Sequence, residues 1–363
     1  MKSPAPITVL LLAVALAWPS AAVASDKGNR CTTAIGVVPF QNNNGGARAV
    51  AGMMLKIHSH LGQRGFMLVG NGRVEEYLRR NRIREHHAIS REHAAELARL
   101  LGVRYLLLGT IDALHVNGGP EVGLTARIMD PQDGSVVWAD SVNLHAVEAP
   151  GVLAMLRAKT LDEASDRAIR RLFSSVVIAK DGALRFKQRR RGASRALLAR
   201  APISYRDPDW RDLGVRRIAI LPFANRTLHP EAPLMVADHM LSVLLGLDGV
   251  EVVDPGELRR VLIEHDIQPL FGLSLAQLRE LRELLGVDGV LDGSVLTYDA
   301  AAQPPTIDLI GRLRDARTGK VLWSATTRRH GSQTRTVYDL GRIYGAARLT
   351  RGAVEDLLST CFR

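Results

Sequence analysis

Two hydrophobic periods alternate along this chain, and the switch between them is sharpest in ELARLLGVRYLLLGTI, Glu96 to Ile111. Leu97, Leu100 and Leu101 fall at helical spacing, Gly102 stands where a left-handed C-cap is needed, and a β-rich run begins at Val103. ELRELLGVDGVLDGSV, Glu280 to Val295, repeats the design, with half of the aligned positions identical. The match extends outward. AIGVVPF (Ala34 to Phe40) pairs with RIAILPF (Arg217 to Phe223), each a short apolar run stopped by a proline, as expected of first strands. RIMDPQDGSVVW and RLRDARTGKVLW both read as strand, turn, strand, with Asp130 and Gly134, or Asp315 and Gly319, in the turn. A period of this kind predicts a tandem duplication.

Within the first unit the pattern predicts a helix from Ala47 to about Leu61, a strand at Phe66 to Val69 and a short helix at Val74 to Arg80. A helix capped by Ser90 follows, then strands at Val103 to Ile111, Val122 to Met129 and Ser135 to Leu144, and a closing helix from Val152 to Phe173. The second unit repeats the order, with a helix near Leu234 to Leu245, a strand at Val250 to Val253, a capping box of Ser274 and Gln277, and a last helix from about Gly341 to Phe362. Strand, helix and strand in this sequence make a parallel, right-handed crossover. The expected fold is α/β, as two tandem copies of an α/β sandwich with a mixed sheet covered by helices.

Residues 1–24 read as a signal peptide: Lys2, an apolar core from Ile7 to Trp18, and Ala22, Val23, Ala24 as the cleavage site. That core is shorter than the roughly 20 residues a membrane span needs. Residues 25–173 form the first expected unit, 174–213 a basic linker and 214–363 the second unit, with cleavage after Ala24 and a periplasmic location, peripheral at the outer membrane at most. The formal net charge of +11 would suggest nucleic acid in a cytosolic protein. Export redirects it to an anionic envelope polymer or lipid surface, and no nucleic acid is expected. Lys187, Arg189, Arg190, Arg191 and Arg195 of the linker are the candidate contacts for such a surface; a solvated spacer is the alternative.

Catalytic chemistry finds no signature. The stretch from Gly311 to Lys320 imitates a phosphate loop but lies in a hairpin, and Gly45 and Gly46 before a helix have no counterpart in the second unit. His86, His87 and His93 with Glu85 and Glu92 resemble a metal cluster only in composition, since none recurs; no catalytic residue, metal or cofactor is expected. Asp292 interrupts an apolar strand where the first unit has Leu108, which a solvent-facing or edge position would explain, with a buried acid as the functional alternative. Trp138 and Trp323 hold matching positions and are either partner-binding aromatics or core packing. Arg127 and Arg312, also matched, are placed to brace Asp130 and Asp315.

The VVPF and ILPF strands, the LLGVRYLLLGTI and LLGVDGVLDGSV segments and the DPQDGSVVW and DARTGKVLW hairpins together resemble one superfamily. It comprises the curli-secretion protein CsgG, the TolB amino-terminal domain and the LpoB-type activators of peptidoglycan synthases. The resemblance covers most of both units and implies an anticodon-binding-like α/β fold in an exported bacterial envelope protein. It also implies service as a pore subunit, a docking module or a synthase activator. The chain departs from the pattern in its leader, in holding two units, and in lacking extra strands for a membrane barrel. The expected function is a non-enzymatic periplasmic binding or assembly module for an outer-membrane secretion, envelope-assembly or wall-synthesis complex, whose proteins would be its partners. A subunit of a CsgG-type channel, an envelope hydrolase with an unrecognised site and a homo-oligomer stay open.

The only two cysteines, Cys31 and Cys361, are a candidate disulfide in an oxidising compartment, with lipidation of Cys31 as the alternative. The intact mass of the exported protein should rise on reduction by the two hydrogens of one bridge. Two free thiols without reductant, or a lipid on Cys31, would remove the bridge.

Overall fold

In the computed structural model, residues 34–43, 47–70, 72–116, 119–145, 158–179, 184–186, 202–211, 214–269, 272–300, 302, 304–333 and 342–362 are described. The first half runs β1 (Ala34–Val37), β2 (Gln41–Asn42), α1 (Ala47–Gln63), β3 (Met67–Gly70), α2 (Gly72–Arg80), α3 (Arg91–Leu101), β4 (Tyr105–His115), β5 (Glu121–Asp130), β6 (Ser135–His145) and α4 (Leu161–Leu172). Three short strands follow, β7 (Val176–Ile178), β8 (Leu184–Phe186) and β9 (Ile203–Arg206). The second half runs β10 (Arg217–Ile220), β11 (Ala224–Asn225), α5 (Ala232–Leu244), β12 (Glu251–Val252), α6 (Pro255–Glu264), α7 (Leu275–Leu285), β13 (Gly289–Asp299), β14 (Thr306–Asp315), β15 (Val321–His330) and α8 (Ala346–Ser359).

The two main sheets share one strand order. The first is β3-β1-β4-β5-β6, with β2 beside β4; the second is β12-β10-β13-β14-β15-β9, with β11 beside β13. β1 and β10 pair in parallel with both neighbours, whereas β4 to β6 and β13 to β15 are antiparallel meanders. Each sheet is therefore mixed, and helices cover it. In the first half α1 and α4 pack on one face, around Ile57, Leu107, Trp138 and Ile169, and α2 and α3 on the other, around Val74, Leu97 and Leu106. The second half repeats this with α5 and α8 on one face and α6 and α7 on the other. Its larger core also takes in Val136 and Ala139 of β6, so apolar packing crosses from half to half. Among the described residues no helix is long and apolar enough to cross a membrane.

Local chemistry explains the repeated segments. Ser90 and Ser274 cap α3 and α7, the latter in a full capping box. Gly102 and Gly286 end those helices at φ of 66° and 64°, where a Cβ would be strained. The glycine of LLLGT and LDGS has a different reason. A Cβ on Gly109 would stand 2.6 Å from the Phe40 ring, and one on Gly293 2.1 Å from the Ile310 carbonyl and 2.4 Å from the Phe223 ring. The phenylalanine three residues after each first strand lies on the bare backbone of the strand beside it.

Two expectations need correction, and both tryptophans are found in the core. The segment 174–213 is not only a linker, because β9 adds an outer strand to the second sheet and pairs with β15. Trp138 and Trp323 are fully buried, each donating its indole N–H to a hydroxyl, Ser175 Oγ at 3.0 Å and Thr360 Oγ1 at 2.9 Å. Neither leaves a ring face for a partner. Arg127 and Arg312 do not brace Asp130 and Asp315: three residues apart on one strand, they point to opposite faces. Asp130 instead pairs with Arg104 at 3.2 Å, and Asp315 holds its turn through the backbone N–H of Arg317 and Thr318.

Gly293→Ala should cost about 1–3 kcal/mol through overpacking. Gly52→Ala, on a helix surface with open space around it, should be neutral or stabilising by up to about 1 kcal/mol. Urea unfolding of both variants measures the contrast.

Candidate functional site

A strand alternates faces, so the residues of the first sheet that do not point toward α1 and α4 point the other way, toward α2 and α3 or, further along the strands, toward the second half. There α5 packs across β6 and β5, α8 reaches β6, and the turn His86–Ala88 meets α6. The contact surface is polar and buried. Arg127 Nε donates to Asp254 Oδ2 at 2.8 Å with both side chains almost fully enclosed, and Arg127 Nη2 donates to the His87 carbonyl. Asp254 also caps α6 by accepting from Gly256 N at 2.8 Å. On α8, Arg351 Nη1 donates to Asp140 Oδ1 and to the Ser141 carbonyl, both at 3.0 Å, and on α5 His239 Nδ1 lies 3.0 Å from Ser141 Oγ.

Two further carboxyls share this seam. Asp112 is held by Thr125 Oγ1 at 2.7 Å and Thr110 Oγ1 at 2.8 Å, and the same Thr110 hydroxyl lies 3.4 Å from Asp238 Oδ2 on α5. Burial pushes the Asp238 carboxyl up to about 7, and the neighbouring Asp112 adds to the rise. Burial raises Asp112 as well, against the pull of its hydroxyl donors. His87 and His239 are depressed to about 3, first by burial and then by Arg127 and Arg351 respectively, so both imidazoles are neutral at ordinary pH.

Beside Asp238 and His87, residues of both halves line a half-open cavity of about 440 Å³. Its walls are mostly apolar, from Pro222, Leu234, Ala237, Leu241, Val253 and Leu258 of the second half and Ala88 of the first. Gln41, Glu85 and Arg259 supply polar edges, the last two joined at 2.8 Å across the halves. His87 Nδ1 has no hydrogen-bond partner among the described residues. No serine, threonine, cysteine, lysine or tyrosine lines the cavity among those residues; the groups there with nucleophilic character are the His87 imidazole and the carboxylates of Glu85, Glu231 and Asp238. A volume of this size with apolar walls and a few polar groups suits an apolar group carrying a hydrogen-bond donor or acceptor.

Other candidates fall elsewhere. Lys187, Arg189, Arg190, Arg191, Arg195 and Cys31 lie outside the described residues. Cys361 is fully buried in the second core, and burial pushes its thiol pKa up. His93 contacts the capping Ser90, the His86 backbone N–H donates to Gln41, and among the described residues no group could hold a metal ion. Asp292 is neither at an edge nor solvent-facing. It is buried on the central strand β13, where Arg312 grips both of its oxygens at 2.9 and 3.2 Å and Arg314 adds a third bond at 2.7 Å. Arg127 matches Arg312, but the first half has Leu108 in place of Asp292, and its arginine turns to Asp254 of the other half. Asp112, Asp238, His239, Asp254 and Arg351 escaped the reading of the sequence. An acid inside an apolar strand or helix was the available signal.

No family model matches the chain, and no curated protein matches it in sequence. Among solved structures it is similar to the PelC dodecamer from Paraburkholderia phytofirmans, at 18% identity over 45% of this chain and 96% of that one, with a TM-score of 0.31. It is similar to lipoprotein GNA1162 from Neisseria meningitidis at 24% identity, over 34% of this chain and 90% of that one, with a TM-score of 0.28. The LpoB C-terminal domain from Escherichia coli matches at 20% identity over 33% and 88% of the two chains, with a TM-score of 0.26. Each match covers less than half of this chain.

Between pH about 4 and about 7 the folded chain retains a proton on Asp238 that the unfolded chain has released. Stability from this group is therefore full below pH about 4 and lost as pH rises through about 7. Urea unfolding should show that fall in the wild type and a flatter profile in Asp238→Asn. Equal slopes would show that another group titrates. Removing the acid from the enclosed ion pair, as Asp254→Asn, should cost about 3–5 kcal/mol, against less than about 1 for Glu85→Gln in the half-exposed pair with Arg259.

Proposed function

We propose that this chain is a non-enzymatic binding module of the bacterial cell envelope whose inter-half cavity receives an apolar segment of a partner protein. The observation that carries the reading is the character of that cavity: mostly apolar walls, a His87 imidazole kept neutral by burial, and no hydroxyl or thiol among the described lining residues. The buried charges of the seam are engaged in holding the halves to each other, as Arg127 is by Asp254 and Arg351 by Asp140, which leaves them no catalytic task. An envelope setting is supported by the leader of residues 1–24 and by the resemblance of the repeated strand and hairpin motifs to CsgG, TolB amino-terminal and LpoB-type proteins. Within that setting the partner belongs to a secretion, envelope-assembly or wall-synthesis complex.

A photo-crosslinking residue placed at Leu234, on the cavity wall, should give a discrete adduct with an envelope protein in cells exporting the full chain. The same residue at Leu284, exposed on α7, should not. Filling the cavity by Ala237→Trp should abolish the adduct with little change in unfolding. Equal labelling from both positions, or a chain that stays in the cytosol, would end this reading.

A further inference from the structure

Besides the neutral His87, the ionisable side chains on the walls of the inter-half cavity are Glu85, Glu231, Asp238 and Arg259, and their charges do not cancel. Arg259 is the one cation among the described lining residues, and Glu85 already holds it at 2.8 Å. Two acids are left, neither with an ion pair among those residues. Asp238 accepts its long bond from Thr110 on Oδ2, so Oδ1 has no donor from the described residues. Glu231 acts electrostatically on His229, but burial lowers the pKa of that imidazole and no cation answers the carboxylate there. The groups around Asp238 add to the imbalance. Asp112 on β4 and Asp254 before α6 raise its pKa, and Arg127 on β5, which opposes them, is bonded to Asp254. His239, next on α5, is neutral and turned to Ser141, with Arg351 beyond it held by Asp140.

One helix sets both acids on one wall. Glu231, Leu234, Asp238 and Leu241 follow at helical spacing, and all of them line the cavity. Glu231 is half-buried at the start of α5, and Asp238 is buried about two turns on, roughly 10 Å along the axis at about 1.5 Å per residue. An uncharged apolar occupant would lie against two carboxyls and give them no donor, which costs free energy for each group it shields from water. We propose that the cavity takes a cationic head on an aliphatic stem, the chemistry of a lysine or arginine side chain, with the head on Asp238 and the stem against Leu234 and Leu241. Such side chains lay an apolar stem along apolar surface and carry the charge at its tip. The inference rests on the reading that the cavity receives a segment of a partner protein, and names the side chain that anchors it.

n-Pentylamine and n-pentanol share a stem and differ in the head, and calorimetric titration of each into the full chain compares them. Near pH about 8 the amine should bind at least about tenfold tighter than the alcohol, because a charge-assisted hydrogen bond is the stronger one. Between pH about 6 and about 8 the amine stays charged while Asp238 releases its proton, so amine affinity should rise about tenfold and alcohol affinity should not rise. Asp238→Asn should weaken the amine by at least about tenfold and leave the alcohol unchanged; Glu231→Gln should cost the amine a smaller factor, about twofold to threefold. Glu76→Gln, exposed on α2, should change neither, and Ala237→Trp should remove both. Equal affinity for the two heads, an amine preference that survives Asp238→Asn, or no binding of either to the wild type would overturn the inference. A Leu234 adduct in cells without an amine preference would overturn it and leave the docking reading standing. An amine preference without the adduct would support it and count against a protein partner.

Discussion

A guanidinium taken out of water without an anion costs several kcal/mol, and Arg127 is almost entirely out of water. The acid its own strand puts on that face, Glu121, is six residues away, and the position across on β4 that could have supplied a nearer one is Leu108. The anion comes instead from Asp254, the residue that caps α6 in the other half. One carboxylate thus starts a helix and binds the second half to the first. Neither half is complete alone: separating them strands a cation in one and leaves exposed the Val136 and Ala139 contribution to the core of the other.

The second half faces the same arginine differently. Arg312 and Arg314 both reach Asp292 on the neighbouring strand, so their charge is met within one sheet and the face needs nothing laid over it. The exchange of leucine for aspartate at matching positions changes where the arginine finds its anion, in the other half or on the next strand. The burial of the matching helices follows the same division, with Asp238, His239 and Ser242 enclosed on α5 and Leu55 in solvent on α1.

Periodicity and turn chemistry carried the fold. Prolines after the first strands, the caps of α3 and α7, and the Asp and Gly of the hairpins each act within a few residues, so they are readable in one dimension. The strand ends, the joining of β9 to the second sheet and the whole seam depend on which segments meet across more than a hundred residues. Asp292 drew attention because an acid interrupts an apolar run, but its equal in importance, Asp112, lies at the end of a similar run and drew none. What distinguishes them is the partner across the strand, Arg312 for one and Thr125 for the other, and register alone supplies that.

Within the seam the charges do not balance, and the imbalance falls on the cavity. Arg127 is committed to Asp254, and Asp112 draws on two close hydroxyls, whereas Asp238 accepts a single long bond of 3.4 Å from a hydroxyl that Asp112 already engages. A buried carboxyl with so little to stabilise its anion keeps its proton until pH about 7. It also forms part of the cavity wall, so an occupant bringing a donor or a cation would supply what the protein withholds and release that proton on binding. Reciprocity then requires such an occupant to bind more tightly as pH rises through the same range. An apolar occupant without such a group would bind with the opposite dependence, favoured where Asp238 is neutral, so the sign of the pH dependence reports the chemistry of whatever fills the cleft.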